Sequence, residues 1–257
     1  MAKIKRSQIA QFLNTGTIVS PTWSLMGVGI PSAKIAYNPK TESTTYIHED
    51  NASVTVESYA PQLPIEMVCN NGDAVFEFID ALRKNRKTLS DAETEIVTVY
   101  YYETPALGYY EAEKQSVAIS TEDIGGDGGI SAKLNYTIHY LGDPTYGFFN
   151  PTPTSDFVAR PITTILTTLI IGSVTLAPVF ATDKSWLYYA GSVANGVTTV
   201  TMTSTLAGAT IVQYDEATPV AQGDPASLAI GVNHLSVSVT VGAEVSVYYI
   251  DITRAAA

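Results

Sequence analysis

Ser131-Ala-Lys-Leu-Asn-Tyr-Thr-Ile-His-Tyr140 carries the reading of the fold. Leu134, Tyr136, Ile138 and Tyr140 fall on one side of an extended chain, and Lys133, Asn135, Thr137 and His139 on the other. Successive strand side chains point to opposite faces, so a period of two predicts a sheet strand with one dry and one wet face. Shorter versions occur at Ser53-Val-Thr-Val-Glu57 and Ile96-Val-Thr-Val-Tyr100. One upstream segment has another period. Between Asp73 and Lys87, Val75, Phe78, Ile79 and Leu82 take the i, i+3, i+4, i+7 spacing of one helical face. Its acids (Asp73, Glu77, Asp80) come early and its bases (Arg83, Lys84, Arg86, Lys87) late, which suits the helix dipole, with Asn71 expected at the N-cap.

Downstream, short Val/Thr/Tyr-rich runs recur between turn signals. They are 168–174, 186–189, 197–203, 210–214, 234–241 and 245–253, separated by Gly191, Asn195-Gly196, Gly208, Gly223-Asp-Pro225, Gly231 and Gly242. This spacing predicts a second β-sandwich of about 90–100 residues. The uncharged stretch Pro161–Asp183 is threaded with Thr, Ser, Gly and Pro178, and its β-branched content predicts two buried strands rather than a membrane helix, which needs about 20 apolar residues.

Composition divides the chain in the same place. Met1–Phe157 holds 11 basic and 19 acidic residues, and Val158–Ala257 holds 3 and 6. Asn150-Pro-Thr-Pro-Thr-Ser-Asp156 favours extended, solvated backbone. The expected layout is therefore a first domain over 1–150, a linker over 151–160 and a second domain over 161–257. With 257 residues the chain can bury about 70–75% of its unfolded surface and needs no staple. A net charge of −11 opposes docking onto DNA or anionic membrane, and the single Cys69 excludes an internal disulfide framework. No apolar run follows Lys3, Lys5 and Arg6, so no secretory signal is expected.

No catalytic, metal or cofactor constellation emerges. His48, His139 and His234 lack paired metal spacing, Cys69 has no Cys partner, and no G-x-S-x-G elbow occurs. Asp123-Ile-Gly-Gly-Asp-Gly-Gly129 lacks the Gly-Lys-Ser/Thr ending of a phosphate loop and the oxygen spacing of an EF-hand, so a strand-to-strand connection is expected. The 16 tyrosines include Tyr100-Tyr-Tyr102, Tyr188-Tyr189 and Tyr248-Tyr249, whose strand-like settings predict packing rather than a carbohydrate-stacking surface.

Three groups of residues resemble the major tail tube proteins of long-tailed, non-contractile bacteriophages (siphophages). They are Trp23-Ser-Leu-Met-Gly-Val-Gly29; Tyr46-Ile-His-Glu-Asp50 through Val56-Glu-Ser-Tyr59 to Asp73-Ala-Val-Phe-Glu-Phe-Ile-Asp80; and Glu122–Gly129 followed by Tyr136-Thr-Ile-His-Tyr-Leu-Gly-Asp-Pro144 and Gly147-Phe148. The resemblance covers roughly residues 1–150. The second domain resembles the cadherin-like, immunoglobulin-type β-sandwich of bacterial surface and phage proteins. It does so through Leu169 and Ile171, Leu176-Ala-Pro-Val-Phe180, Tyr188 or Tyr189, Val197 with Val200, Leu228 with Gly231 and Asn233, and the ending Tyr248-Tyr-Ile-Asp-Ile-Thr-Arg254.

The resemblance implies a mainly β protein: a barrel-forming tail-tube domain with one α-helix, then an immunoglobulin-like sandwich decorating the outside. It implies a structural virion protein rather than an enzyme. Hexameric rings of this chain would stack into a tube around a tape-measure protein, bounded by tail terminator and tail-tip proteins and assembled in the bacterial host cytoplasm. The genome would cross the lumen without specific binding, and no membrane partner is implied. The irregular stretch 37–47 and the N-terminal 3–14 would be arms that order on contact with neighbouring subunits. Six copies at −11 give a formal −66 per ring, and 8 of each 11 (19 minus 11) lie in the tube-like domain. Acids facing the channel would repel DNA phosphates, with Glu57 and Glu66 as lumen candidates. The competing reading is a surface-displayed module that recognises host glycan or protein through the C-terminal sandwich.

Overall fold

The computed structural model describes residues 3–48, 50–102, 107–152, 156–161, 163–182 and 186–256. The chain is mainly β, with one α-helix among the described residues. It forms two compact units, Met1–Val99 with Glu113–Thr145 and Tyr100–Ala112 with Tyr146–Ala257. The chain therefore passes between units three times, and residues 100–112 join the second unit. Part of the proline- and threonine-rich stretch is strand: 156–159 pairs antiparallel with 147–150, while 153–155 of the expected linker lie outside the described residues.

The first unit is built on β1 (Ile9–Asn14), β2 (Trp23–Met26), β3 (Pro39–Thr44), β4 (Ser53–Tyr59), β5 (Gln62–Val68), α1 (Ala74–Lys84), β6 (Glu93–Tyr100), β7 (Tyr110–Gly125) and β8 (Lys133–Asn150). The main sheet runs β2-β1-β6-β7-β8-β5, with β9 (Asp156–Ala159) added to β8. In the β5–β8 register Leu63 faces Ile138, Ile65 faces Tyr136 and Met67 faces Leu134, all buried. Leu13, Ile96, Val117 and Ile119 extend this apolar face, and Val75 and Ile79 of α1 pack on it. The outer edge of β5 is covered by the segment before β3, where Val68 N donates to Gly29 O (2.9 Å) and Gln62 and Ala36 exchange two backbone bonds. A Cβ on Gly29, whose φ is +72°, would stand 2.7 Å from Val68 O, so glycine is needed at this approach.

The cap of α1 lies two residues later than expected. Asp73, not Asn71, is the N-cap, and its carboxylate accepts from Phe76 N at 2.8 Å. Asn85 closes the other end by donating to Ala81 O (2.8 Å).

Both expected arms differ from expectation. Ile9–Asn14 is an interior strand between β2 and β6, with Gln11, Phe12, Leu13 and Asn14 all buried. Its polar members are satisfied: Arg6 donates to Gln11 Oε1 (2.8 Å), and Asn14 Oδ1 accepts from Gly16 N (2.9 Å) and Thr22 N (3.0 Å). The stretch 37–47 is not irregular throughout, because β3 pairs with β4 as a separate two-stranded sheet. All six residues of β3 and all seven of β4 are exposed. The alternation at 53–57 is therefore strand without a dry face, and Val54 and Val56 remain 66% and 48% exposed.

The second unit continues with β10 (Thr168–Ile171), β11 (Tyr188–Val193), β12 (Thr199–Thr205), β13 (Thr210–Asp215), β14 (Thr218–Val220), β15 (Pro225–Ser227), β16 (Gly231–Val241) and β17 (Glu244–Arg254). A three-stranded sheet, β10-β12-β15, faces a five-stranded one, β11-β17-β16-β13-β14. Leu169, Ile171, Val200 and Met202 from the first share one core with Leu235, Val237, Tyr248, Ile250 and Ile252 from the second. This is a sandwich. Among its described residues the stretch 161–183 supplies one strand, β10, instead of two: beyond it Ala177 exchanges backbone bonds with Ala190 as an isolated bridge. Residue 183 lies outside the described residues. The buried Tyr248 hydroxyl is satisfied on both sides, accepting from Leu166 N and donating to Thr164 O, each at 3.0 Å.

Candidate functional site

The face of β5, β7 and β8 opposite the core carries a cross-strand polar ladder. It follows from the alternation: Leu134, Tyr136 and Ile138 turn inward, so Lys133, Asn135, Thr137 and His139 turn outward. Lys133 Nζ lies 2.7 Å from Glu66 on β5. Asn135 donates to Asp123 (2.9 Å) and Thr137 to Glu122 (2.7 Å), both on β7. Ser120 and His139 share a hydrogen bond at 2.9 Å. Four successive residues on one face of β8 are thereby each held by a neighbouring strand.

A groove of about 430 Å³ lies on this face, its lining including Glu66, Glu122, Asn135, Thr137, Lys34 and Pro31. Glu66, Glu122 and Asp123 outnumber Lys34 and Lys133, so the surface carries one net negative charge. The opposite face is dry. Burial raises the phenols of Tyr136 and Tyr140 far above their ordinary value, and both remain neutral.

The two expected lumen residues are not brought together. Glu66 sits in the ladder of the main sheet, whereas Glu57 lies on the separate β3–β4 hairpin, 2.6 Å from Lys40. That bond, with a second to Glu42, lowers the Glu57 pKa below its ordinary value. Glu122 and Asp123 belong to the same face as Glu66. Their signal in the sequence is their position at the end of β7, opposite Asn135 and Thr137, which alternation in β8 alone does not reveal.

The chemistry of the face is that of a wet surface. Ser120 and His139 lie on an open sheet, and among the described residues no carboxylate holds the second ring nitrogen, as an activated serine would need. No group of three or more His, Cys, Asp or Glu that could hold a metal ion occurs among the described residues. Asp123–Gly129 connects the end of β7 to β8, with Gly129 at φ +87°. No helix of the described residues is long and apolar enough to cross a membrane.

No protein-family model matches the chain, and no curated protein does. Among solved structures, a chain from the tail of an empty GTA particle, computed with helical refinement and C6 symmetry, is similar at a TM-score of 0.43 and 11% identity. The match covers 56% of this chain and 98% of that one.

Proposed function

We propose that this chain is the structural subunit of a bacteriophage tail tube: six copies close into a ring, rings stack around a tape-measure protein, and the genome crosses the lumen without specific binding. The observation that carries the reading is the β3–β4 hairpin. A two-stranded sheet with both faces in water is marginal on its own, yet this one presents Val54, Val56, Tyr59, Tyr46 and Ile47, the last fully exposed. Such a surface is completed by contact with another copy, because ring and stack formation would cover the hairpin and remove exposed strand edges. Glu49, which falls between β3 and β4 in the sequence, lies outside the described residues.

In this reading the first unit, Met1–Val99 with Glu113–Thr145, forms the tube domain and the second supplies an immunoglobulin-type sandwich on the outer surface of the tube. The polar ladder on β5, β7 and β8 faces the channel, where its net negative charge keeps DNA phosphates from adhering. The particle is the virion tail, capped by terminator and tip proteins and assembled in the host cytoplasm.

The test uses Val54→Asp with Val56→Asp in the full chain. Both sites are solvent-exposed in the single chain, so its melting should change little. Sedimentation velocity should show large species for the unaltered protein and their loss in the doubly substituted chain. An unchanged sedimentation profile for the doubly substituted chain would refute the role of the hairpin.

A further inference from the structure

The second unit carries a groove that tube building leaves unused. On β17, Tyr248, Ile250 and Ile252 point into the sandwich, and on β16 Leu235 and Val237 do. Tyr249, Asp251, His234 and Ser236 therefore stand on the outer face of the five-stranded sheet. The register makes two cross-strand rows there: Tyr188, Tyr249 and Ser236, then Ala190, Asp251 and His234. Leu107, Tyr109 and β9 border this face and close it into a groove of about 500 Å³, a size ordinary for small-ligand sites.

Its floor is a ladder of parallel rings. Tyr109 stacks on Tyr188 with centroids 3.7 Å and planes 5° apart, and Tyr188 stacks on Tyr249 at 5.5 Å and 8°. Tyr188 is almost fully buried by this arrangement, while Tyr249, the end member, is 43% exposed. Burial and the Tyr109 hydroxyl raise the Tyr188 phenol far above its ordinary value, so that ring is neutral.

The groove has acids and no Lys or Arg in its lining. His234 Nδ1 lies 2.7 Å from Asp251. Asp156, on β9, has neither an ion pair nor a side-chain hydrogen bond among the described residues. An anion entering here would meet two carboxylates with only His234 to offset them. A planar cation would meet a ring face oriented by the ladder and carboxylates on the walls. Guanidinium matches both, since it stacks on aromatic faces and donates in a fork to carboxylates, whereas ammonium is a compact point charge without a stacking plane.

We infer that this groove binds the guanidinium of an arginine side chain on a partner protein, stacked on Tyr249 as the next plane of the ladder and paired with the carboxylates of Asp156 and Asp251. The assignment is independent of tube formation.

Calorimetric titration of the full chain with Nα-acetyl-arginine amide tests it, alongside Nα-acetyl-lysine amide, choline and the neutral trisaccharide maltotriose. Saturable binding of the arginine probe is expected, weakening several-fold between low and high salt. Tyr249→Phe, which keeps the ring, should bind within about threefold of the unaltered chain, and Tyr249→Ala about tenfold more weakly. Asp156→Asn, at an exposed site that should not affect folding, should also weaken it. Circular dichroism on each variant establishes that the sandwich is intact. Absence of saturable arginine binding overturns the inference. So does lysine, choline or maltotriose binding at equal or greater affinity, or arginine binding that is unchanged in folded Tyr249→Ala and Asp156→Asn.

Discussion

Lys40 Nζ lies 2.6 Å from the Glu57 carboxylate, across a hairpin in which neither strand has a buried residue. The pair is therefore solvent-screened. The depressed Glu57 pKa means that any stabilisation is present above the ordinary carboxylate range and disappears as pH falls through the lowered value. Exposed pairs contribute little, so Lys40→Ala should leave urea stability nearly unchanged, and added salt should shrink whatever difference remains.

Asp80 on α1 is held differently. Its carboxylate meets Lys84 Nζ and Arg83 Nη2, each at 2.6 Å, and the residue is buried. The Lys84 bond is the main cause of a pKa below the usual 3.8, with Arg83 adding to it and burial opposing it. A group whose folded pKa is depressed stabilises above its unfolded pKa and ceases to do so as pH falls through the folded value. Urea unfolding as a function of pH should show a loss of stability below 3.8 in the unaltered chain that is smaller in Asp80→Asn.

Tyr248 gives a prediction for the sandwich. Its hydroxyl joins Leu166 N and Thr164 O, both of which would lose a buried partner in Tyr248→Phe. The expected cost is about 1–3 kcal/mol, read from chemical denaturation followed by near-ultraviolet circular dichroism. A change within experimental error would show that water replaces the hydroxyl.

The polar ladder gives a functional one. Glu66→Lys should convert the face from net negative to net positive, because Lys34 and Lys133 already stand on it. Particles carrying Glu66→Lys with Glu57→Lys should assemble and eject DNA more slowly. Unchanged ejection and infectivity would remove both carboxylates from the lumen.

The strands legible in the sequence are those with one dry face. Lys133–Tyr140 alternates because Leu134, Tyr136 and Ile138 meet the core while Lys133, Asn135 and His139 are partly exposed; Thr137 is covered by its bond to Glu122. Ile9–Asn14 does not alternate, because four consecutive residues at its end are buried, including Gln11 and Asn14, whose side chains are satisfied by Arg6 and by the turn that follows the strand. Pro39–Thr44 contains no large apolar residue at all, so only its pairing with β4 makes it a strand. In α1 the helical face was legible, but the cap was decided by which of Asn71 and Asp73 reaches Phe76 N. Of the candidate site, Glu66 could be placed on a polar strand face. Its association with Glu122, Asp123 and Lys133 depends on sheet order and register, which periodicity within one segment does not encode. The tyrosine ladder is hidden for the same reason, since Tyr109, Tyr188 and Tyr249 come from three distant segments.

Electron microscopy of the purified full chain at rising concentration tests the central claim most directly. The account predicts rings of six subunits with a uniform bore, stacking into hollow tubes as concentration increases. A monodisperse monomer at every concentration would contradict it.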